Sequence, residues 1–188
     1  LRLKNTKIDY LKVKKEMDYI YNKLNLFQDR SSSIKNAEGL IQECRQKLLL
    51  VKKAIGTVDE AYIDISDIII NNALGMIIDV VNNAQESVNS NNIESISEKF
   101  TQARSLLATM KQMDMSRETK SRLNTNTTTI VGIDGQIKEA VKKKNSGCYV
   151  ATMAYGSYEH PQVLILRKYR DHKLSRSILG RAIIKSYY

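Results

Sequence analysis

The sequence is poor in the residues that punctuate or cross-link a chain. It has one Pro, eight Gly, two Cys, two Phe and no Trp among 188 residues. A single Pro argues against a loop-rich or many-turned β fold. Two Cys as far apart as Cys44 and Cys148 make neither a disulfide framework nor a zinc-ligand set, so a reducing cytoplasm is the expected setting. No apolar run approaches the roughly 18–20 residues of a membrane span. No Gly-rich phosphate loop, HExxH motif or Cys pair at metal spacing occurs, and Gly132-Ile133-Asp134-Gly135 resembles a nucleotide loop only superficially. No metal, cofactor or small-molecule substrate is therefore expected. The first residue is Leu and no signal peptide is visible, so the chain reads as a piece of a longer protein.

Hydrophobic residues make up 42% of the chain, enough for a packed core. The formal net charge of +10 is unevenly distributed. Residues 1–53 carry 13 basic and 6 acidic side chains, residues 54–100 one and eight, residues 101–141 six and four, and residues 142–188 ten and two. A basic segment followed by an acidic one suggests two elements that pair with each other. The basic tail has no such counterpart in sequence and is the better candidate for contact with an anionic surface.

Apolar spacing predicts four helices. Tyr10, Val13, Met17, Ile20, Leu24 and Phe27 alternate steps of three and four, the period of a helix-packing seam. Ile34, Ala37, Ile41, Cys44, Leu48, Val51 and Ile55 repeat it after a Ser-rich break that can cap the second helix. Cys44 lies inside this seam and reads as a small buried hydrophobe. Gly56 stops the run, and Thr57-Val58-Asp59-Glu60 has the capping-box pattern of a new start. The third run holds Ile63, Ile70, Leu74, Ile77, Val81, Ala84 and Val88, with further Ile on neighbouring faces, and should be the most buried helix. After a turn at residues 89–92, the fourth run holds Ile96, Phe100, Ala103, Leu107 and Met110.

The expected fold is all-α: an antiparallel helical bundle or coiled-coil segment over 1–123, then a small helical C-terminal module. The stretch between them admits two readings. Asn124 to Thr129 has poor helix propensity, so a hinge there followed by a linker helix to 146 is favoured. The other reading is one long helix supported by tertiary contacts. Lys142, Lys143 and Lys144 suit the C-terminal end of that helix.

From 147 the composition changes. Six of the ten Tyr and both His lie in 149–188. The segment opens Cys148-Tyr149-Val150-Ala151-Thr152-Met153-Ala154-Tyr155-Gly156-Ser157. It continues through Pro161 and Val163 to Leu166-Arg167-Lys168-Tyr169-Arg170-Asp171, and ends with Gly180-Arg181 ahead of Tyr187-Tyr188. These residues resemble the CFI-box module, a short C-terminal domain carried by many otherwise unrelated bacterial proteins. The matching spacings cover 147–188 and no part of 1–146; Val150 stands where the pattern usually has Ile, and Met153 where it usually has Ala. The resemblance implies no established enzyme activity. It implies a terminal sorting, processing or docking element whose pattern normally continues past the Tyr pair.

Read on their own residues, Pro161 should open a helix and a last helix should begin near 178, with a short helix over 148–155 before them. Val163 to Leu166 and Tyr169 should form an apolar face, with Arg167, Lys168 and Arg170 projecting elsewhere and Asp171 pairing with an Arg. The candidate docking residues are Cys148, Tyr155, Arg167, Arg170, Asp171 and Arg181. The candidate contacts to nucleic acid or a membrane surface are Lys142, Lys143, Lys144, Arg167, Lys168 and Arg170. Cys148 and His160 are the candidates for a thiol nucleophile and its base. A structural small residue and a turn or cap residue are the preferred readings of the two, and Cys148 is also a candidate modification or processing point. The function class that follows is a non-enzymatic helical scaffold or adaptor, partnered by another protein or by itself. A thiol enzyme and an anionic-surface binder remain the alternatives.

Overall fold

A computed structural model describes residues 2–89, 92–145, 154–157 and 159–187. Among these the chain forms seven α-helices and no strand: α1 (Arg2–Gln28), α2 (Ile34–Ile55), α3 (Glu60–Ser87), α4 (Ile93–Met110), α5 (Arg117–Asn145), α6 (Pro161–His172) and α7 (Ile178–Tyr187). A 3-10 turn, Leu174–Arg176, joins the last two. The chain divides into two compact units, Leu1–Asp134 and Gly135–Tyr188.

In the first unit the helices begin and end where local chemistry dictates. The Ser33 hydroxyl accepts the Asn36 N–H and caps α2. Gly56, at φ 92°, ends that helix while its N–H bonds the Lys52 carbonyl. Asp59 caps α3 by accepting from Ala61 N–H. The start of α3 thus lies two residues beyond the Thr57 that the capping-box pattern suggests. A carboxylate immediately before Glu60 reaches the first free N–H groups, which Thr57 is too far upstream to do.

The apolar seams meet as their spacing predicts. Val13, Met17, Ile20, Leu24 and Phe27 of α1 are buried, as are Ile34, Ala37, Ile41, Cys44, Leu48 and Val51 of α2. Ile96, Phe100, Ala103, Leu107 and Met110 of α4 are buried too. Helix α3 has the most buried positions, among them Ile65, Ile69, Ile70, Leu74 and Ile77. Its first turn is rotated relative to expectation, with Tyr62 buried and Ile63 half-buried. Helix α1 packs on α2, α2 on α3 and α3 on α4, and α2 also packs on α4 and α1 on α3. Short connections make α1, α2 and α3 antiparallel. Lys23 pairs with Glu43, and Lys47 with Glu16 at 3.9 Å, which fixes the sense of α1 against α2. These pairs lie within the basic first segment. Apolar seams, rather than the expected pairing of a basic with an acidic segment, hold α1 and α2 to α3.

The expected hinge at 124–129 is not there. The chain breaks at 111–116 instead, and α5 runs unbroken from Arg117 to Asn145. Thr127, Thr128 and Thr129 donate their hydroxyls to the carbonyls of Leu123, Asn124 and Thr125, and Asn126 donates to Arg122. Polar side chains that could compete with the helix are turned back onto it. Leu123 and Ile130 are buried and anchor the same stretch. Asn71 of α3 donates to Thr119 and accepts from Arg122, while Arg104 of α4 bonds the buried Asp134 at 2.6 Å. The first part of α5 is therefore a fifth helix of the first unit, running parallel to α3, and the four-helix description of 1–123 is too small.

Candidate functional site

The second unit is built around few buried groups. His160 stands at the N-cap of α6 and Pro161 in its first turn. The Gln162 N–H donates to His160 Nδ1 at 3.3 Å, and the imidazole stacks on Tyr155 with ring centroids 4.9 Å apart. Pro fits this position because its missing N–H needs no partner there. Val163 is fully buried. After α6, the Ser177 hydroxyl accepts from Gly180 N–H and the Ser177 carbonyl from Arg181 N–H, which starts α7. Gly180 lies so close to the preceding turn that a Cβ there would meet the Leu174 carbonyl oxygen at 2.1 Å.

Val163 and Gly180 are the buried positions of the two helices, and most of the apolar side chains elsewhere on them are exposed. On α6, Ile165, Leu166 and Tyr169 are exposed while Arg167 and Arg170 are half-buried. Val163 to Leu166 and Tyr169 were expected to form one apolar face; Val163 alone of them is buried, and Arg167 and Arg170, expected to project elsewhere, lie on its side of the helix. On α7, Ile178 is 80% and Leu179 79% exposed, and Ile183 is exposed as well. Ile178 and Ala182 lie on the side of α7 opposite Gly180, and Leu179 and Ile183 line one flank of the helix. The Arg170 side chain is 18% exposed and its Nε bonds Asp171 Oδ1 at 2.6 Å. That bond, with Arg167 and His172 nearby, holds the Asp171 carboxyl below its ordinary pKa.

The sequence candidates therefore separate. Arg170 and Asp171 form a mutual pair. Arg181, Lys168 and Lys142 are exposed, and Arg167 is half-buried. Tyr155 is exposed and engaged with His160. Cys148 and most of the expected 148–155 helix lie outside the described residues, as do the side chains of Lys143 and Lys144. His160 has its Nδ1 committed as a helix cap. His172 ends α6, where its Nδ1 lies 3.1 Å from the Lys168 carbonyl and donates to it. Among the described residues no three His, Cys, Asp or Glu converge as a metal site. The sequence reading did not include Ile165, Leu166, Ile178, Leu179 and Ile183 among its site residues. Their spacing identifies helices, but only the position of Val163 and Gly180 tells which faces are outward.

A second cluster, absent from the sequence reading, surrounds Asp114 in the first unit. Lys52 Nζ at 2.7 Å and the Tyr62 hydroxyl at 2.6 Å both donate to Asp114 Oδ2. Ser66 donates to the Asp114 carbonyl, and the Ser116 N–H to Asp67 at 3.0 Å. The turn between α4 and α5 is thereby tied to α2 and α3. A cavity of about 160 Å³ lies beside it, lined by Ile41, Leu48, Leu49, Tyr62, Met113 and Asp114 among others. The bonds from Lys52 and then Tyr62 hold the Asp114 carboxyl below its ordinary range. Burial first, and the bond to Asp114 second, raise the Tyr62 hydroxyl well above its ordinary value. Cys44 is fully buried, and burial pushes its thiol up to about 11, which keeps it neutral within the packed seam.

The depressed pKa of Asp114 has a consequence for acid stability. Its stabilisation is fully present above the unfolded carboxylate value of about 3.9. It is lost as pH falls through the lower folded value. Asp114→Asn keeps an acceptor but removes the titration. The variant should lose less stability than the parent between near-neutral pH and about pH 3. Urea unfolding at the two pH values measures it. Parallel losses in the two proteins would show that the carboxylate contributes nothing to acid sensitivity.

The chain is thus an all-α protein with a helical first unit and a small basic helical C-terminal unit. No family model matches the chain, and neither the curated proteins nor the solved structures yield a match.

Proposed function

We propose that the protein is a non-enzymatic helical scaffold or adaptor, in a bacterial cytoplasm, whose C-terminal helices dock it to an assembly. The observation that carries this reading is the outward apolar face of the second unit. Aliphatic side chains at Ile178 and Leu179 are about four-fifths exposed while the Arg170 side chain is mostly covered. Burying a Leu or Ile side chain is worth roughly 1.5–3 kcal/mol. A helix pair that forgoes this gain at several positions holds it in reserve for a surface that covers them. The CFI-box-like pattern over 147–188 supports the same reading, since it implies a terminal docking or sorting element. Self-association through the helical surfaces is one form the assembly can take. The thiol-enzyme alternative has no comparable support, because the His160 imidazole is occupied by its cap and its stack.

The test is the state of the full chain in an extract of its own host. The parent protein should sediment with a larger assembly, and the double substitution Ile178→Asp with Leu179→Asp should release it. Recovery of both proteins at the size of the free chain would remove the docking reading.

A further inference from the structure

The charge around the outward face narrows what can cover it. Between 161 and 187 the sequence carries seven cationic side chains, at Arg167, Lys168, Arg170, Lys173, Arg176, Arg181 and Lys185, and one carboxylate, Asp171. Asp171 is already engaged by Arg170 at 2.6 Å. A complementary surface must therefore be anionic and must also accept aliphatic side chains. We infer that the outward faces of α6 and α7 lie on an anionic lipid surface, with Ile165, Leu166, Ile178, Leu179 and Ile183 entering the headgroup–acyl boundary and the exposed Lys168, Lys173, Arg176 and Arg181 meeting lipid phosphates and carboxylates. This rests on the docking reading and names its partner.

Nucleic acid satisfies only half of the requirement. Phosphates would meet the cations and a base can stack on Tyr169, but Ile178 and Leu179 would remain in water. An acidic protein would need a groove matched to two separate outward ridges. A lipid interface needs no such match, because acyl chains rearrange around each inserted side chain. Basic amphipathic helices with aliphatic outer faces are the form that peripheral lipid contact takes. Exposed Tyr169 suits the same boundary, where an apolar ring and a polar hydroxyl are both accommodated. The contact lies on the membrane and not through it. Helices α6 and α7 have 12 and 10 residues. At 1.5 Å per residue neither reaches across a hydrocarbon core of about 30 Å. Among the described residues no helix is long and apolar enough to cross a membrane.

The experiment uses the full chain with phosphatidylcholine vesicles, alone or with about one-third phosphatidylserine, in a flotation assay. The expected result is binding to the anionic vesicles, at least about tenfold weaker on pure phosphatidylcholine and falling as salt rises. Ile178→Asp with Leu179→Asp should reduce binding at least about tenfold. Lys168→Ala with Arg181→Ala should reduce it by a comparable factor, each cation being worth about fivefold near the surface. These side chains are exposed, and an Asp at the start of α7 suits the helix dipole. Unchanged amide hydrogen exchange over α6 and α7 serves as the folding control. No binding to anionic vesicles would overturn the inference, and so would equal binding to both compositions. Salt-sensitive binding that survives the two Asp substitutions would also overturn it, leaving charge alone as the cause. If the parent chain still sediments with a larger assembly in host extract while ignoring vesicles, the lipid partner fails and the docking reading stands on a protein.

Discussion

Replacing Phe100 by Ala should cost about 3–5 kcal/mol of folding free energy, and replacing Leu179 by Ala less than about 0.5 kcal/mol. The residues are both large and apolar, and both lie on amphipathic helices. Phe100 is 0% exposed in the middle of α4, between Ile96 and Ala103 on the same buried stripe. Its removal loses the transfer free energy of the ring and leaves a cavity that close-packed helices fill only in part. Leu179 is 79% exposed, so little of it leaves water when the chain folds. Chemical unfolding of the two variants beside the parent measures both effects. A small cost for Phe100→Ala would mean that α4 is not packed into the first unit as described. A large cost for Leu179→Ala would mean that the chain covers this side chain itself, and the docking surface would lose its main support.

The same contrast shows what the sequence makes legible. The seams of α1, α2 and α4 could be read because each is a regular three–four alternation whose members all face one partner layer. Ser33 and Gly56 were readable because each acts within its own turn. Tyr62 was not, since its hydroxyl is satisfied by Asp114, 52 residues away. Helix α5 was misjudged for the same kind of reason. The Asn and Thr residues of 124–129 disfavour a helix locally, but Leu123 and Ile130 are buried and Asn71 holds Thr119 and Arg122 from α3. Tertiary contacts outweigh propensities of a few tenths of a kcal/mol per residue. In the second unit the helices were legible and their orientation was not. The usual rule that an apolar face turns inward presupposes a core large enough to receive it. Among its described tail residues this unit buries Val163 and the backbone around Gly180, so most of its aliphatic side chains face out.

Gly180 is where that orientation can be tested with one methyl group. In an ordinary helix interior, Gly→Ala stabilises by up to about 1 kcal/mol through backbone entropy. Gly132 in α5 has open space where a Cβ would stand, so Gly132→Ala should follow this rule. At Gly180 the added Cβ would lie 2.1 Å from the Leu174 carbonyl oxygen and 2.6 Å from the Ser177 hydroxyl. The first of these is backbone and cannot rotate away. Gly180→Ala should therefore destabilise, by about 1–3 kcal/mol, the usual cost of overpacking. The loss should appear as faster amide hydrogen exchange over 178–184, with 62–77 in α3 unchanged. The opposite signs at Gly132 and Gly180 separate a steric seat from a general helix effect. If Gly180→Ala instead slowed exchange over 178–184, α7 would not be seated on the 174–177 turn. The side of α7 away from Gly180 would then no longer be defined as outward, and Ile178 and Leu179 would have to be assigned to a different side of the module. A destabilised α7 would confirm that the helix is seated on the 174–177 turn with Ile178 and Leu179 turned to the outside.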